Sequence, residues 1–225
     1  MEMKGYNIID LSYPIKSDML VYPGTERPVF KWTGRVNSEG FNLTKMWMLT
    51  HTGTHADAPN HFIENGKSID ELSIDCFLGR AKLFRYNQEP ESQSISPDDI
   101  ISSKYDLEPE IIFVLETGIE HYSEKKEYNE LFPVPSQDLL GLLIEYKIRA
   151  YMTDATSIDR VNSIGSPNHR LLLGAGVPIV ENLCNLSKLP VNKFFTIIAL
   201  PLKLEGREGS PCRAVALLDL DIASI

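Results

Sequence analysis

The run His51-Thr52-Gly53-Thr54-His55-Ala56-Asp57-Ala58-Pro59-Asn60-His61 places three of the chain's five histidines and one aspartate within eleven residues. Imidazole and carboxylate side chains are the donors that a catalytic divalent metal ion takes. The spacing also constrains the fold. On a helix His51 and His55 would share a face, but Thr52-Gly53-Thr54 is poor helix material and Pro59 follows soon after. No glutamate follows His51, so the two-histidine helix pattern of zinc proteases is absent. In a straight strand the two Cβ atoms would stand roughly 13 Å apart, at about 3.3 Å per residue. Donors that each lie about 2 Å from one ion cannot be that far apart. The chain must bend between them, and Gly53 is the residue that permits a sharp bend. The expectation is a strand that ends near residue 50 and turns through Gly53. A lone histidine in a strand is in most proteins a hydrogen-bonded polar side chain, but three with an aspartate around a glycine hinge weaken that reading. A carboxylate can bridge two ions with its two oxygens, and a histidine just outside the ligand set can move protons near neutral pH. Thr52 and Thr54 are placed to hold ligands by hydrogen bonds.

Working outward, residues 41–50 alternate, with Phe41, Leu43, Trp47 and Leu49 on one parity and Lys45 the exception, which reads as a strand leading into the histidine run. Residues 6–11 read as a first strand, and residues 12–29, with Pro14, Pro23, Gly24 and Pro28, as loop. Downstream, residues 86–110 are polar, with Ser96-Pro97 opening a short helix. Residues 111–115 read as a buried strand and 120–130 as a charged surface loop that contains His121. Ser136 caps a helix with the stripe Leu139, Leu140, Leu143 and Ile144, ending near Lys147. Residues 149–153 return as a strand ending at Asp154. Ser166-Pro167 opens a short helix through Leu173, with Gly174 at the position after its end. Residues 177–180, 194–204 and 212–218 supply the remaining strands. The expected class is α/β with many strands and few helices, in a single domain over residues 1–225.

Composition narrows the function. The chain has 225 residues, of which 43% are hydrophobic and 24% charged, as in ordinary globular proteins. A formal net charge of -9 argues against nucleic acid as a partner, whose phosphates want a basic patch, and weakly against anionic membranes. No apolar run approaches the roughly 20 residues that span a bilayer, and residues 1–10 have no apolar signal-peptide core. The three cysteines, Cys76, Cys184 and Cys212, form no CxxC pair, which points to a reducing compartment. The expected location is the cytoplasm and the expected partner a small-molecule substrate. A cysteine-centred hydrolase is disfavoured, because Cys76 and Cys184 have no histidine beside them in sequence.

The histidine run resembles the H-x-G-T-H-x-D-x-P-x-H signature of the cyclase-like metal-dependent hydrolases, which include bacterial kynurenine formamidases and isatin hydrolases. Every fixed position matches. The resemblance extends through Gly66-Lys67-Ser68-Ile69-Asp70, Leu115 to Gly118, and Asp154-Ala155-Thr156-Ser157-Ile158-Asp159. It continues in His169-Arg170-Leu171-Leu172, Ile179-Val180-Glu181-Asn182-Leu183 and Ser210-Pro211-Cys212-Arg213. It implies a swivelling β/β/α fold and a homo-oligomer, dimer or tetramer, in which residues 12–29 reach a neighbouring subunit. It also implies one or two divalent ions, zinc or manganese. His51, His55 and Asp57 would bind one ion, and Asp57, His169 and Glu181 the second, with His61 as general acid/base. Judged from its own surroundings, His169 reads as a surface residue at a helix N-terminus and Glu181 as a strand-end charge. The chain departs from the kynurenine formamidases at three places. Tyr22 replaces the tryptophan that helps hold their substrate, Thr25-Glu26 replaces Asp-Thr, and Glu116 replaces an arginine. The implied reaction is hydrolysis of a carbon–nitrogen bond in a small amide, N-formyl amine or lactam. A lactonase or cyclase on the same site, and a binding protein that has lost catalysis, are the alternatives.

Overall fold

The structure is a computed structural model that describes residues 7–87, 94–122 and 132–219, with the backbone alone at 121 and 122. Among these residues the strands are β1 (Ile8–Asp10), β2 (Val29–Gly34), β3 (Leu43–Trp47), β4 (His55–Asp57), β5 (Leu78–Arg85), β6 (Ser94–Ile95), β7 (Ile112–Glu116), β8 (Val134–Pro135), β9 (Ala150–Thr153), β10 (Ile179–Glu181), β11 (Phe194–Pro201) and β12 (Gly209–Leu217). The α-helices are α1 (Val36–Glu39), α2 (Pro97–Ser102), α3 (Gln137–Glu145) and α4 (Pro167–Gly174). The loop expected over 120–130 lies outside the described residues from 123 onward, as does the side chain of His121.

Eight strands form one mixed sheet in the order β1-β12-β11-β5-β7-β9-β10-β4, and β12 also pairs with β4, so the sheet closes into a barrel. The long β12 serves two neighbours on one edge: residues 209–211 pair with β4 and residues 215–217 with β1. From β5 through β7 and β9 to β10 the strands run parallel. Parallel neighbours need crossover connections, and α2, α3 and α4 lie on the three crossovers. Because side chains alternate across a strand, these four strands divide their residues between two cores. Ala81, Leu83, Ile112, Val114, Ala150, Met152 and Val180 join Phe195, Ile197, Ala199, Ala214 and Ala216 of β11 and β12 in one cluster. Phe84, Phe113, Leu115, Tyr151 and Ile179 pack on the other face against Ile100, Leu139, Leu140, Leu143, Leu172 and Leu173 of the helices. This is the α/β class expected, with a closed mixed sheet and few helices.

Local chemistry sets the helices as read. At α2, Ser96 and Asp99 form a reciprocal capping box with Pro97 behind the cap, and at α3 the Ser136 side chain accepts from Leu139 N–H. Other elements differ from expectation. Gly174 lies inside α4, and the left-handed residue past its end is Gly176, with φ of 80°. Strand β12 begins at Gly209, ahead of the expected 212, because residues 209–211 find a second partner in β4. The central strand β5 goes unread in the sequence because Arg80, Lys82 and Arg85 interrupt its apolar parity. Lys82 is nonetheless buried, held by Asp106 and Glu108 at 3.2 and 3.0 Å, and the Arg80 guanidinium lies 3.6 Å from the Phe194 ring centre. Strand β3 occurs within the expected 41–50, but among the described residues it pairs only with β2, in a separate ribbon. Its alternation marks no buried face, and Phe41, Leu43, Trp47 and Leu49 are all exposed.

Candidate metal centre

After β3 the chain turns over residues 50–53, and Gly53 adopts φ of 68°, a conformation that glycine takes without cost. Strand β4 then runs between β10 and β12, its three residues all buried. Register does the rest: Glu181 of β10 stands opposite His55, and Gly209 of β12 opposite Asp57. His169 arrives from the first turn of α4. Thus segments far apart in sequence converge where the barrel closes.

The convergence is tight. Asp57 Oδ1 lies 2.8 Å from His51 Nδ1 and 3.3 Å from His55 Nε2, and Asp57 Oδ2 lies 3.7 Å from His169 Nε2. Glu181 divides its oxygens similarly, Oε1 3.2 Å from His169 Nε2 and Oε2 3.6 Å from His55 Nε2. Donors around an ion at about 2.0–2.2 Å stand roughly 3–3.6 Å apart, so this set has the spacing of a coordination sphere. Two overlapping groups, His51 with Asp57 and His61, and His55 with Asp57 and Glu181, each bring donor atoms within 4.8 Å of one another. Asp57 belongs to both. The donor chemistry, nitrogen and carboxylate oxygen, fits a borderline or hard divalent ion.

Outer partners fix the rings. His55 Nδ1 is 2.8 Å from the Gly53 carbonyl oxygen, which leaves Nε2 facing the carboxylates. Asp159 does the same for His169, with Oδ2 2.7 Å from Nδ1. Asp159 also accepts from the backbone N–H groups of Asn168 and His169, at 3.1 and 3.0 Å. It therefore caps α4, a role that the left-handed Ser166 does not fill. Thr54 donates to the Asn182 carbonyl at 2.5 Å and accepts from Tyr13 N–H, so it ties three segments together rather than gripping a ligand side chain.

Electrostatics follow from burial and proximity. Burial pushes the Asp57 carboxyl up, but His51 and His55 beside it hold it well below the usual range. Burial opposes charge on His169, yet Asp159 and Glu181 carry its pKa up to about 10 in the metal-free protein. His61 goes the other way: burial, against the pull of Asp57 and with the other histidines, lowers it to about 4. His61 is thus neutral near pH 7. Its ring stacks on His51 with centroids 4.1 Å apart and meets Phe62 edge-on at 4.3 Å.

All six of these residues, His51, His55, Asp57, His61, His169 and Glu181, line a cavity of about 820 Å3. Its other walls include Met19, Leu20, Tyr22, Leu49, Phe62 and Thr156. Burial, together with Glu181 and Asp159, raises the Tyr22 phenol pKa. His169 is buried, not the surface residue its local sequence suggests, and Glu181 is a strand-end charge as read, the last residue of β10, but a buried one. Glu116 is absent from the cavity wall: it pairs with Arg85, whose guanidinium reaches the carbonyls of Leu186, Ser187 and Leu189. Asp159 and Glu208 are the residues near the site to which sequence reading gave no role. Asp159 carried a signal, its place in D-x-x-S-x-D, whereas Glu208 carried none.

Known proteins resemble this chain over most of its length. The family described as putative cyclase matches residues 9–160. The chain is 31% identical over 210 residues to a kynurenine formamidase of Salinibacter ruber, covering 92% of this chain and 96% of that one. It is also 31% identical over 215 residues to the kynurenine formamidase of Bacillus mycoides, covering 95% and 98%. Among solved structures, isatin hydrolase A from Labrenzia aggregata superposes with a TM-score of 0.82 at 26% identity, over 95% of this chain and 94% of that one. A potential metal-dependent hydrolase with cyclase activity gives 0.79 at 28%, over 96% and 100%. The matched span and the near full-length relatives show that this chain belongs to the cyclase family.

Proposed function

We propose that residues 1–225 act as one catalytic unit, a metal-dependent hydrolase that cleaves the carbon–nitrogen bond of a small amide, N-formyl amine or lactam. The carrying observation is the Asp57-centred cluster of imidazoles and carboxylates on the wall of the cavity, with neutral His61 stacked beside it. The relatives support the reaction class: kynurenine formamidases open an N-formyl bond, and isatin hydrolases a lactam. In this reading His51, His55 and Asp57 hold one divalent ion, and Asp57, His169 and Glu181 hold a second, zinc or manganese in either place. An ion so held supplies Lewis acidity, lowering the pKa of water and polarising a carbonyl. His61 accepts a proton from the attacking water and returns it to the leaving nitrogen. Being neutral near pH 7, its ring has a nitrogen lone pair free for that proton. Tyr22 contacts the substrate from the cavity wall.

The His51, Asp57 and His61 donor group favours a second reading, in which His61 is itself a ligand. His61→Ala separates the two. As general acid/base, its loss costs about 100-fold or more in rate with metal content unchanged. Loss of metal would make it a ligand, and full activity would remove it from the mechanism. Asp57→Ala loses metal if Asp57 bridges. Esters hydrolysed in preference to amides would turn the assignment to a lactonase or cyclase.

The exposed ribbon supports self-association, a homodimer in the simplest case. A two-stranded ribbon is marginal by itself, and this one exposes Val29, Phe30, Trp32, Leu43, Met46 and Trp47. Leu49, just beyond it, also lines the cavity, so a second subunit seated there would adjoin the substrate. Sedimentation of a Trp32→Ser, Trp47→Ser variant as a monomer, against a wild-type dimer, is the expected result. Three free cysteines accord with a cytoplasmic location, and no described helix is long and apolar enough to cross a membrane.

A further inference from the structure

His55 and His169 each have an outer partner on Nδ1 and turn Nε2 toward Asp57 and Glu181. His51 is turned the opposite way. Its Nδ1 lies 2.8 Å from Asp57 Oδ1, so Nε2 points away from the cluster. That Nε2 is buried and has no hydrogen-bond partner among the described residues. The carboxylate facing it belongs to Glu208, with Oε1 at 3.6 Å. This is beyond a hydrogen bond, and a movement of about 0.7 Å closes it to the usual ~2.9 Å.

Glu208 is aimed rather than adrift. Its backbone carbonyl accepts from Ala58 N–H at 2.8 Å, and the preceding carbonyl, of Arg207, accepts from Ile69 N–H at 2.8 Å, so the segment is pinned to the end of β4 and to the loop beyond it. Thr50, the residue before His51, donates to Glu208 Oε1 at 2.5 Å and orients the carboxylate. Gly209 leaves space for the His51 ring, since a Cβ there would stand 2.8 Å from His51 Cε1. Burial would raise the Glu208 carboxyl, but hydrogen bonds from the Thr50 hydroxyl and from its own backbone N–H hold its pKa lowered.

We propose that Glu208 is the positioning carboxylate of His51, accepting a hydrogen bond from Nε2–H when Nδ1 binds the ion, as Asp159 does from the opposite nitrogen of His169. The assignment rests on the metal-site reading above. A carboxylate on the far nitrogen fixes the tautomer, orients the ring and raises its basicity as a ligand, typically worth 10–100-fold in affinity. Glu208 acts through His51 and is given no contact with substrate.

The test measures zinc affinity of the whole chain by chelator competition, beside the melting temperature of the metal-free protein. Glu208→Ala is expected to weaken zinc binding about 10–100-fold with little change in metal-free melting temperature. Glu208→Gln keeps an oxygen for Thr50 and for Nε2–H and is expected to fall between alanine and wild type. His51→Ala is the control on the underlying reading. If His51→Ala loses zinc while Glu208→Ala binds like wild type, the positioning role is overturned and the metal site stands. If both variants bind like wild type, His51 is no ligand and both readings fall. A metal-free melting temperature lowered by Glu208→Ala with unchanged zinc affinity would make Glu208 a structural residue and overturn the proposal.

Discussion

Replacing Gly209 by alanine would put a Cβ 2.8 Å from the Ala56 carbonyl oxygen, 2.8 Å from His51 Cε1 and 3.1 Å from His51 Nε2. The first neighbour is backbone and cannot swing aside. Gly209 stands opposite Asp57 where β12 pairs with β4, the contact that closes the barrel. Relief therefore requires β4 and β12 to part, or the His51 ring to move, or both. Overpacking of this kind costs about 1–3 kcal/mol. In a protein of this size about 2–4 °C of melting temperature goes with each kcal/mol, so Gly209→Ala is expected to melt about 2–12 °C lower. Its effect on the site exceeds its effect on the fold, because ligand sets tolerate only about 0.5 Å of displacement. Zinc affinity is expected to drop at least about 10-fold, as when a ligand's support is lost. Thermal melts with and without zinc, and chelator competition, read both quantities. A variant with wild-type melting temperature and wild-type affinity would refute the claim that barrel closure at Gly209 sets the position of His51.

Asp159→Asn keeps one of the two oxygens that hold His169 and cap α4. It is expected to weaken metal binding about 10–100-fold and to cost about 1–3 kcal/mol of stability, read by the same two assays. His169 in the metal-free protein has a pKa raised to about 10, so at pH 7 it carries a proton that a bound ion must displace. Calorimetry in buffers of different ionisation enthalpy should show proton release on zinc binding at pH 7. Because that folded pKa exceeds an unfolded value near 6.5, the contribution of His169 to metal-free stability is whole below about pH 6.5 and is lost as pH rises toward 10. Metal-free melting temperature should accordingly fall between pH 6.5 and 9.5, and a rise would contradict the assigned environment. Leu143→Ala, at a fully buried position of α3, should cost about 2–5 kcal/mol and leave zinc affinity within a few-fold of wild type.

Legibility in the sequence tracked how local the physics is. The turn through Gly53 was derivable because two donors four residues apart cannot reach one ion along a straight strand, and the φ of 68° there answers that requirement. The capping box at Ser96 and the cap at Ser136 were legible because a helix start is settled within four residues. The strand β5 was not, because its cations find partners at Asp106, Glu108 and Phe194, and no local pattern announces them. The ribbon was legible as a strand but not as a surface, since alternation reports periodicity and not what covers a face.

The same division runs through the site. The donor-rich bend of His51, His55, Asp57 and His61 was readable along the chain, because their chemistry and spacing are local, and the resemblance extended the set to His169 and Glu181. How these groups meet is set by strand pairing and long-range packing. Glu181 faces His55 because β10 and β4 pair in that register. His169 turns inward because Asp159, ten residues earlier, holds both its helix end and its ring. Glu208 faces His51 because β12 closes the barrel over β4. Each of these contacts depends on strand register and closure across more than a hundred residues or on a carboxylate in another element, and such distances leave no periodic trace in the chain.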